Sequence, residues 1–493
     1  MATESSDPRT RREFLRESSA AAAGLLSARL AFGQEPASAP RPNIIFVLAD
    51  DLGWTDLGCF GSKYYETPHI DRLCAQGLKF TDGYTCGPNC VPTRAALVTG
   101  LYGPRTGMYT VGTGARGQEQ FRKMTPVDNV ESLPKGIATV ADALKAAGYA
   151  TALFGKWHLG RDEYHPSQRG FQEAIVSMGR HFKVRTDPPV SVSPETYLAD
   201  FLTDRAVDFI ERNKARPFFL YLAHFAVHVP HEAKAELIAK FKDKPPVGGH
   251  RDPTYAAMIA SLDESVGRVM AKLDELKLAE NTLIVFSSDN GGVGGYQVIG
   301  NPKGGITDNA PLKGGKGMLY EGGVRVPFIV RWPRVARPGR VCAEPVNSVD
   351  LLPTFVEAAG GKPNPSQPLD GVSFLPLLRS AHATLSRDAL YWHFPGYLEG
   401  GGPGRWRTTP AGSVRSGDWK LIEFFEDGRR ELYNLRDDLG ERKNLAPEKP
   451  DKAKEMHQRL IAWRKAVNAP MPSRKPSTTT SSTTRTILRG EEI

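Results

Sequence analysis

The segment Asn43–Asp51 reads NIIFVLADD, a near-continuous apolar run that ends in two carboxylates. Such a run is typical of a β-strand buried on both faces of a parallel sheet. Similar runs recur beside helix-type patterns, at 149–158 (YATALFGKWH), 218–225 (FFLYLAHF) and 282–286 (TLIVF). This alternation predicts an α/β fold, in which helices sandwich a large, mainly parallel sheet.

The composition is that of a soluble globular protein with a basic excess. Of the 493 residues, 40% are apolar and 24% are charged, and the formal net charge is +9. Five cysteines are too sparse for a disulfide scaffold. The lysines and arginines are scattered rather than clustered, so nucleic acid is not an expected partner. A basic surface favours an anionic substrate, although a generic basic surface would have the same composition.

Residues 1–39 are interpreted as a targeting signal and linker. The pair Arg11-Arg12 precedes a weakly apolar, alanine-rich run from about Ala20 to Phe32. This pattern resembles a bacterial twin-arginine signal, with an N-terminal helix of the domain as the alternative. The run is too short to span a bilayer, and no other window offers roughly 18 consecutive apolar residues. We therefore predict an exported protein, periplasmic or extracellular, without a membrane span.

The rest of the chain divides by composition. We predict a main, catalytic domain over residues 40–378 and a smaller α+β domain over 379–472. In the smaller domain, short strands with polar turns favour an antiparallel sheet, and 452–467 has the pattern of an amphipathic helix. Residues 473–493 are low in complexity and are predicted to be a disordered tail.

Acidic pairs follow two of the predicted strands. Asp50-Asp51 ends the first run, and Asp289-Asn290 comes shortly after TLIVF. Because ligands bind outside the carboxyl ends of parallel strands, we expect these side chains to meet there. Like charges 4 Å apart repel by roughly 4 kcal/mol at an effective dielectric near 20, so a cation is needed. Oxygen ligands favour Ca²⁺ or Mg²⁺ over zinc. The alternatives to a metal site are that these residues form turns or helix caps, or that a basic residue neutralises them.

The stretch CGPNCVPTR (86–94) contains two cysteines in different settings. Pro92 and the run AALV, closed by Gly100, predict a short helix that begins near Cys90. Free N–H groups and the helix dipole stabilise negative charge there, so we expect an acidified thiol. Cys86 lies in a turn before this helix. The pattern favours Cys90 as the reactive cysteine, with a buried structural role as the alternative.

The segment Cys90-Val-Pro-Thr-Arg94, which continues as AALVTGLYGPRTG, resembles the signature Cys-x-Pro-x-Arg of the formylglycine-dependent sulfatases, members of the alkaline phosphatase superfamily. The resemblance runs from about residue 43 to about residue 467. Other segments agree with it in order: NIIFVLADDLGWTDLGCFG, GYATALFGKWHLG, VFSSDNGG, PLKGGKGMLYEGGVRVPFIVRWP, DLLPTF and the late SGDWKLI and ELYNL.

The resemblance implies a sulfatase whose Cys90 is oxidised to formylglycine by a separate maturation enzyme. The hydrated aldehyde would attack the sulfur of a sulfate ester and give a covalent sulfo-enzyme intermediate. The implied cofactor is one calcium ion. Its implied ligands are Asp50, Asp51, Asp289, Asn290 and the modified residue 90.

The resemblance also implies roles for five other side chains. Arg94 and Lys156 would hold the hydrated aldehyde, and His158 would take a proton from its second hydroxyl. His228 and Lys316 would flank the leaving ester oxygen. We expect Lys156 and His158 to lie on one side of a strand, and a lysine among other cations to have a lowered pKa.

Other histidines and other activities remain as alternatives. His224 and His231, near His228, are expected to be structural. The implied substrate is a sulfated carbohydrate or an aryl sulfate. The alternative activities are hydrolysis of a phosphoester or phosphonate on the same framework, and a catalytically inactive binding protein that keeps the fold.

Overall fold

The computed structural model describes residues 41–475, and its centre is a nine-stranded sheet. In chain order, the strands of this sheet are β1 (Asn43–Ala49), β2 (Leu78–Phe80), β3 (Ala150–Gly155), β4 (Glu173–Ser177), β5 (Thr186–Asp187), β6 (Phe218–Ala223), β7 (Thr282–Ser288), β8 (Phe328–Arg331) and β9 (Arg340–Cys342). Their order across the sheet is β9-β2-β8-β7-β1-β6-β3-β4-β5. The four apolar runs singled out in the sequence are β1, β3, β6 and β7.

The strands from β7 to β4 are all parallel, with β1 between β6 and β7. Strand β8 is antiparallel to β7 and β2, and β5 is antiparallel to β4. The sheet is therefore mainly parallel, as predicted. Ala49 of β1 pairs with Ser288 of β7, so these two strands end at the same level.

Helices cover both faces of the sheet. The α-helices of residues 41–475 are, in chain order, α1 (Pro68–Ala75), α2 (Cys90–Thr99), α3 (Gly103–Thr106), α4 (Val140–Ala146), α5 (Leu198–Arg212), α6 (Ala235–Phe241), α7 (Pro253–Glu275), α8 (Glu321–Val324), α9 (Leu351–Ala358), α10 (Leu375–Arg379) and α11 (Pro450–Ala466). Successive side chains of a strand point to opposite faces. Ile45 and Val47 share a core with α1, α5 and α7, whereas Ile44, Phe46 and Leu48 share one with α2, α4 and α9.

The C-terminal part contains the predicted antiparallel sheet and helix. Its strands are β10 (Leu390–Phe394), β11 (Ala411–Ser416), β12 (Trp419–Phe424) and β13 (Arg430–Asn434), in that order across the sheet. Helix α11 packs on it through Met456 and Leu460. Lys420 of β12 is fully buried and forms ion pairs with Glu321 of α8 at 2.8 Å and with Glu441 at 3.0 Å. The proposed boundary near residue 378 stays a prediction.

In the described part of the chain, three two-stranded ribbons lie beside these sheets, and the first of them is formed by Gly83–Tyr84 and Val346–Asn347. Leu398–Glu399 pairs with Trp406–Thr408, and Ser473–Arg474 pairs with Met124–Thr125. The predicted tail thus begins with a paired segment, and its remainder lies outside the described residues, as does the predicted signal over 1–39. Within residues 41–475, none of the helices has the length and apolarity needed to cross a membrane.

Candidate active site

The two acidic pairs meet where β1 and β7 end. Asp50 and Asp51 follow β1, Asp289 and Asn290 follow β7, and none of the four is more than 1% exposed. The backbone N–H of Asp51 donates to Oδ1 of Asp289 (3.2 Å), and Nδ2 of Asn290 donates to Oδ1 of Asp51 (2.9 Å). The structure therefore brings these side chains together as the strand ends predicted.

Cys90 is the first residue of α2 and faces the same point. Its Sγ lies 3.7 Å from Oδ1 of Asp50 and 3.5 Å from Nζ of Lys156. The expectation of an acidified thiol is wrong for this structure, because complete burial outweighs the nearby lysines and raises the pKa of Cys90 to about 12. Cys86 instead packs with Ala96, and its thiol donates to the Pro92 carbonyl.

Arg94 lies one helical turn after Cys90 and is completely buried. Its Nε donates to Oδ2 of Asp289 (2.9 Å), and another guanidinium nitrogen donates to the backbone carbonyl of Lys156 (2.7 Å). Arg94 therefore ties helix α2 to the ends of β7 and β3. Since a guanidinium keeps its charge in proteins, it fixes a cation beside the acidic cluster.

Two lysines neutralise the acidic pair after β1. Nζ of Lys156 lies 2.5 Å from Oδ2 of Asp50, and Nζ of Lys316 lies 2.6 Å from Oδ1 of Asp51. Burial works against the charge of each lysine, but the carboxylates outweigh it and raise the pKa of both. The expectation of a lowered lysine pKa is therefore wrong here, because each ammonium has an anionic partner at contact distance.

The predicted histidines occupy different positions around the cluster. Nε2 of His228 lies 3.7 Å from Oδ2 of Asp51, and its Nδ1–H donates to the Val229 carbonyl (2.8 Å), so in the neutral ring Nε2 is the basic nitrogen. Lys156 and His158 do not lie on a strand, since β3 ends at Gly155. Burial lowers the pKa of His158 to about 3, so its ring is neutral.

The other two histidines differ from His228. His224 is completely buried, and its Nε2 lies 2.9 Å from the hydroxyl of Ser265 on α7, which fits the expected structural role. His231 is half-buried and packs edge-on against the ring of Tyr255.

The donor set fits a hard cation. Ligand atoms of Asp50, Asp51, Cys90 and His228 all lie within 4.8 Å of one another. Oδ1 of Asn290 is buried and has no hydrogen-bond partner among the described residues, as expected of an oxygen kept for an ion. Asp289 was predicted to bind the cation, but in this structure its carboxylate forms an ion pair with Arg94. These oxygens match the ligand preference of Ca²⁺.

A cavity of about 1120 Å³ opens onto this cluster. The predicted catalytic residues that line it are Cys90, Lys156, His158, His228 and Lys316. Sequence reasoning missed other lining residues, among them Arg116, Arg161 and Arg407. No motif marks these arginines, and the chain fold alone carries them to the cavity.

Comparisons with known proteins agree on one family. The family model for sulfatases matches residues 42–361, and the model "N-sulphoglucosamine sulphohydrolase, C-terminal" matches residues 315–466. A sulfatase of Formosa agariphila is 35% identical over 90% of this chain and 93% of that protein. The steryl-sulfatase of Mus musculus is 32% identical over 91% of this chain and 86% of that protein.

A solved structure agrees with the sequence comparisons. The crystal structure of Ps i-CgsB in complex with k-i-k-neocarrahexaose matches with a TM-score of 0.73 and 30% identity. The match covers 86% of this chain and 92% of the Ps i-CgsB chain.

Proposed function

This chain belongs to the sulfatase family and is a sulfuric ester hydrolase, and we propose that it releases sulfate from a sulfated carbohydrate through a formylglycine made from Cys90. The observation that carries the proposal is the convergence on one cavity of Cys90, two lysines and two histidines beside the buried carboxylates. Cys86, the neighbouring cysteine, is packed in a core instead.

Two groups would complete the site. Asp50, Asp51, Asp289 and Asn290, with residue 90, would hold a calcium ion. When bound, calcium neutralises sulfate oxygens, and the hydrated formylglycine supplies the oxygen that attacks sulfur. Cys90 would be converted by a formylglycine-generating maturation enzyme, and the twin-arginine pattern supports export of the protein after that step.

Cationic side chains would orient the side chain of residue 90. Nζ of Lys156 lies 3.5 Å from Sγ of Cys90, and Arg94 fixes the Lys156 backbone through its carbonyl. Both cations are held rigidly by Asp50 and Asp289, so they stabilise negative charge without rearrangement during the reaction. His158 lines the same cavity, and its Nδ1 is buried without a hydrogen-bond partner among the described residues, so this ring is placed to accept a proton from residue 90.

Lys316 and His228 would serve the leaving group. Both contact Asp51 and line the cavity. A departing sugar alkoxide is strongly basic and needs a proton in the transition state. The ammonium of Lys316 keeps its protons because Asp51 raises its pKa, so it can donate a hydrogen bond to the leaving oxygen.

The cavity lining favours a carbohydrate over an apolar substrate such as a sterol. Charged side chains line much of it, including Arg116, Arg161, Glu131 and Asp162. Burial of an apolar ring system against such groups would leave them without water or partners, which is unfavourable.

Rates on matched esters test the proposed activity. We expect protein made with its maturation enzyme to hydrolyse 4-nitrophenyl sulfate faster than 4-nitrophenyl phosphate. The Cys90→Ala variant should lose the sulfatase activity, and the Cys86→Ala variant, altered outside the cavity, should keep it. Faster hydrolysis of the phosphate would support the phosphoester or phosphonate alternative. If protein whose Cys90 is converted hydrolyses neither ester, the result would support the inactive binding protein.

A further inference from the structure

Arg407 is a lining residue of the cavity that the proposed reaction does not use. It lies on the short ribbon Leu398–Glu399 with Trp406–Thr408, far along the chain from the strand ends that carry the acidic cluster. Its guanidinium stacks on the ring of Tyr296, 4.6 Å from the ring centroid. This stacking fixes the orientation of the side chain.

Two contacts put Arg407 next to Lys316. The hydroxyl of Tyr296, the ring under Arg407, donates to the backbone carbonyl of Lys316 (3.1 Å). Arg407 also packs against Gly317, the residue after Lys316, because a Cβ placed on this glycine would lie 3.1 Å from Cδ of Arg407. Arg407 is therefore on the side of the cavity where Lys316 would meet the leaving oxygen.

The charge of Arg407 has no anionic partner within residues 41–475. Its Nε is buried without a hydrogen-bond acceptor, and its guanidinium is in none of the ion pairs of that part of the chain. By contrast, the buried Arg325 and Arg415 both pair with Asp82. A fixed guanidinium without a carboxylate beside a reaction site is suited to bind an anion.

We propose that Arg407 determines specificity by binding a second anionic group on the leaving alcohol of the substrate. The group is an oxyanion, either a second sulfate or the carboxylate of a uronic acid. This inference rests on the proposed sulfatase function and adds that the natural substrate carries more than one negative charge. The acidic lining residues are Glu131, Asp162, Glu163 and Asp187, and none of them forms an ion pair with Arg407 in the part of the chain that the structure describes.

The test compares substrates that differ only in the second charge. The probes are 4-nitrophenyl sulfate and disaccharides of one backbone that carry one sulfate, two sulfates, or one sulfate and a uronate. Each disaccharide is measured as a substrate and as an inhibitor of 4-nitrophenyl sulfate hydrolysis. The variants are Arg407→Gln and Arg407→Lys. Arg405→Gln is the control, since Arg405 is exposed in the connection between the two strands of the ribbon and is not a lining residue.

The measured quantity is the kcat/KM of a doubly charged disaccharide divided by that of the singly charged one. For Arg407→Gln we expect this ratio to fall by about tenfold or more, which is the effect of losing one charge-assisted hydrogen bond. Arg407→Lys should recover part of the ratio, and Arg405→Gln should leave it unchanged. The disulfated and uronate probes identify which oxyanion is bound. A purely structural role would lower Tm and all rates together without moving the ratio.

Two results would overturn the subsite. One is a wild-type protein that binds doubly charged disaccharides no more tightly than singly charged ones, and the other is an unchanged ratio in Arg407→Gln. If the wild type with converted Cys90 does not hydrolyse 4-nitrophenyl sulfate or any disaccharide, the proposed function fails as well. The two failures are therefore distinguishable.

Discussion

The ammonium of Lys316 lies 2.6 Å from Oδ1 of Asp51. This contact joins the glycine-rich segment around Lys316 to the carboxyl end of β1, so a residue of the proposed leaving-group machinery is positioned by a proposed metal ligand. Lys156 and Asp50 repeat the arrangement at 2.5 Å. Asp50 and Asp51 therefore each form an ion pair with one lysine, and both carboxylates also face the acidic cluster at the ends of β1 and β7.

Removal of the divalent ion is expected to abolish activity. Without the ion, Lys156, Lys316 and Arg94 still pair with the three carboxylates, but the sulfate loses the divalent charge that would neutralise its oxygens. After exhaustive dialysis against a chelator, we expect loss of sulfatase activity, its return with CaCl₂ but not with NaCl, and a lower Tm. Full activity in protein whose metal content has been shown to be negligible would refute the calcium site.

Lys316→Ala is expected to reduce activity most on esters with basic leaving groups. A hydrogen-bond donor to developing negative charge contributes about 10²–10³-fold, and 4-nitrophenolate, a weakly basic leaving group, needs little of this help. Values of kcat/KM should therefore fall further on a sulfated sugar than on 4-nitrophenyl sulfate. Lys303→Ala serves as a control because Lys303 is exposed and lies in the same glycine-rich region. Equal losses on both esters would argue against a role of Lys316 at the leaving oxygen.

Arg94→Lys is expected to destabilise the fold as well as reduce activity. Lysine keeps the charge but cannot bind Asp289 and the Lys156 carbonyl together, and the loss of a hydrogen bond of a charged group typically costs about 1.5–3 kcal/mol. Denaturant titration should show this loss in the free energy of unfolding. Arg268→Lys alters an exposed pair with Asp204 and should cost less than about 1 kcal/mol. Similar costs for the two variants would contradict the rigid role assigned to Arg94.

We expect the protonation of His393, on strand β10, to lower the free energy of unfolding at acidic pH. Burial lowers its pKa from 6.5 to about 4, and its Nδ1 is buried without a partner among the described residues. Because the folded-state pKa is depressed, the unfolded chain binds the proton first. The neutral ring of His393 therefore contributes fully to the free energy of unfolding above pH 6.5, and this contribution is lost as the pH falls to about 4.

The shift of His393 corresponds to about 3 kcal/mol. The free energy of unfolding of His393→Gln, measured between pH 4 and 7, should therefore depend less on pH than that of the wild type. His382→Gln, at an exposed position, is the matched control. A slope unchanged by His393→Gln would show that other groups cause the acid sensitivity.

The sequence predicted the elements whose signals are local. The apolar runs of β1 and β7 and the proline and glycine around α2 specify where Asp50, Asp289 and Cys90 lie, since strand ends and helix ends follow from neighbouring residues. The direction of β8 was not predictable, because an apolar run such as FIVR is the same in parallel and antiparallel pairing.

Properties that depend on contacts between distant segments could not be predicted from the sequence. The pKa of Cys90 rises because parts of the chain far from residue 90 exclude water from it. The lysine pKa values rise because Asp50 and Asp51 lie at contact distance, which spacing along the chain does not reveal. Arg407 reaches the cavity on a ribbon about 90 residues after Lys316 in the sequence, with no motif around it.

The central claim is that position 90, and not position 86, carries the reactive group. Trypsin cleaves after Lys79 and Arg94 and releases the peptide FTDGYTCGPNCVPTR, which contains both cysteines. Fragment-ion mass spectrometry of this peptide, from active protein made with its maturation enzyme, assigns each side chain separately. We predict an aldehyde at position 90 and a thiol at position 86. An unmodified thiol at position 90 in fully active protein would contradict the account.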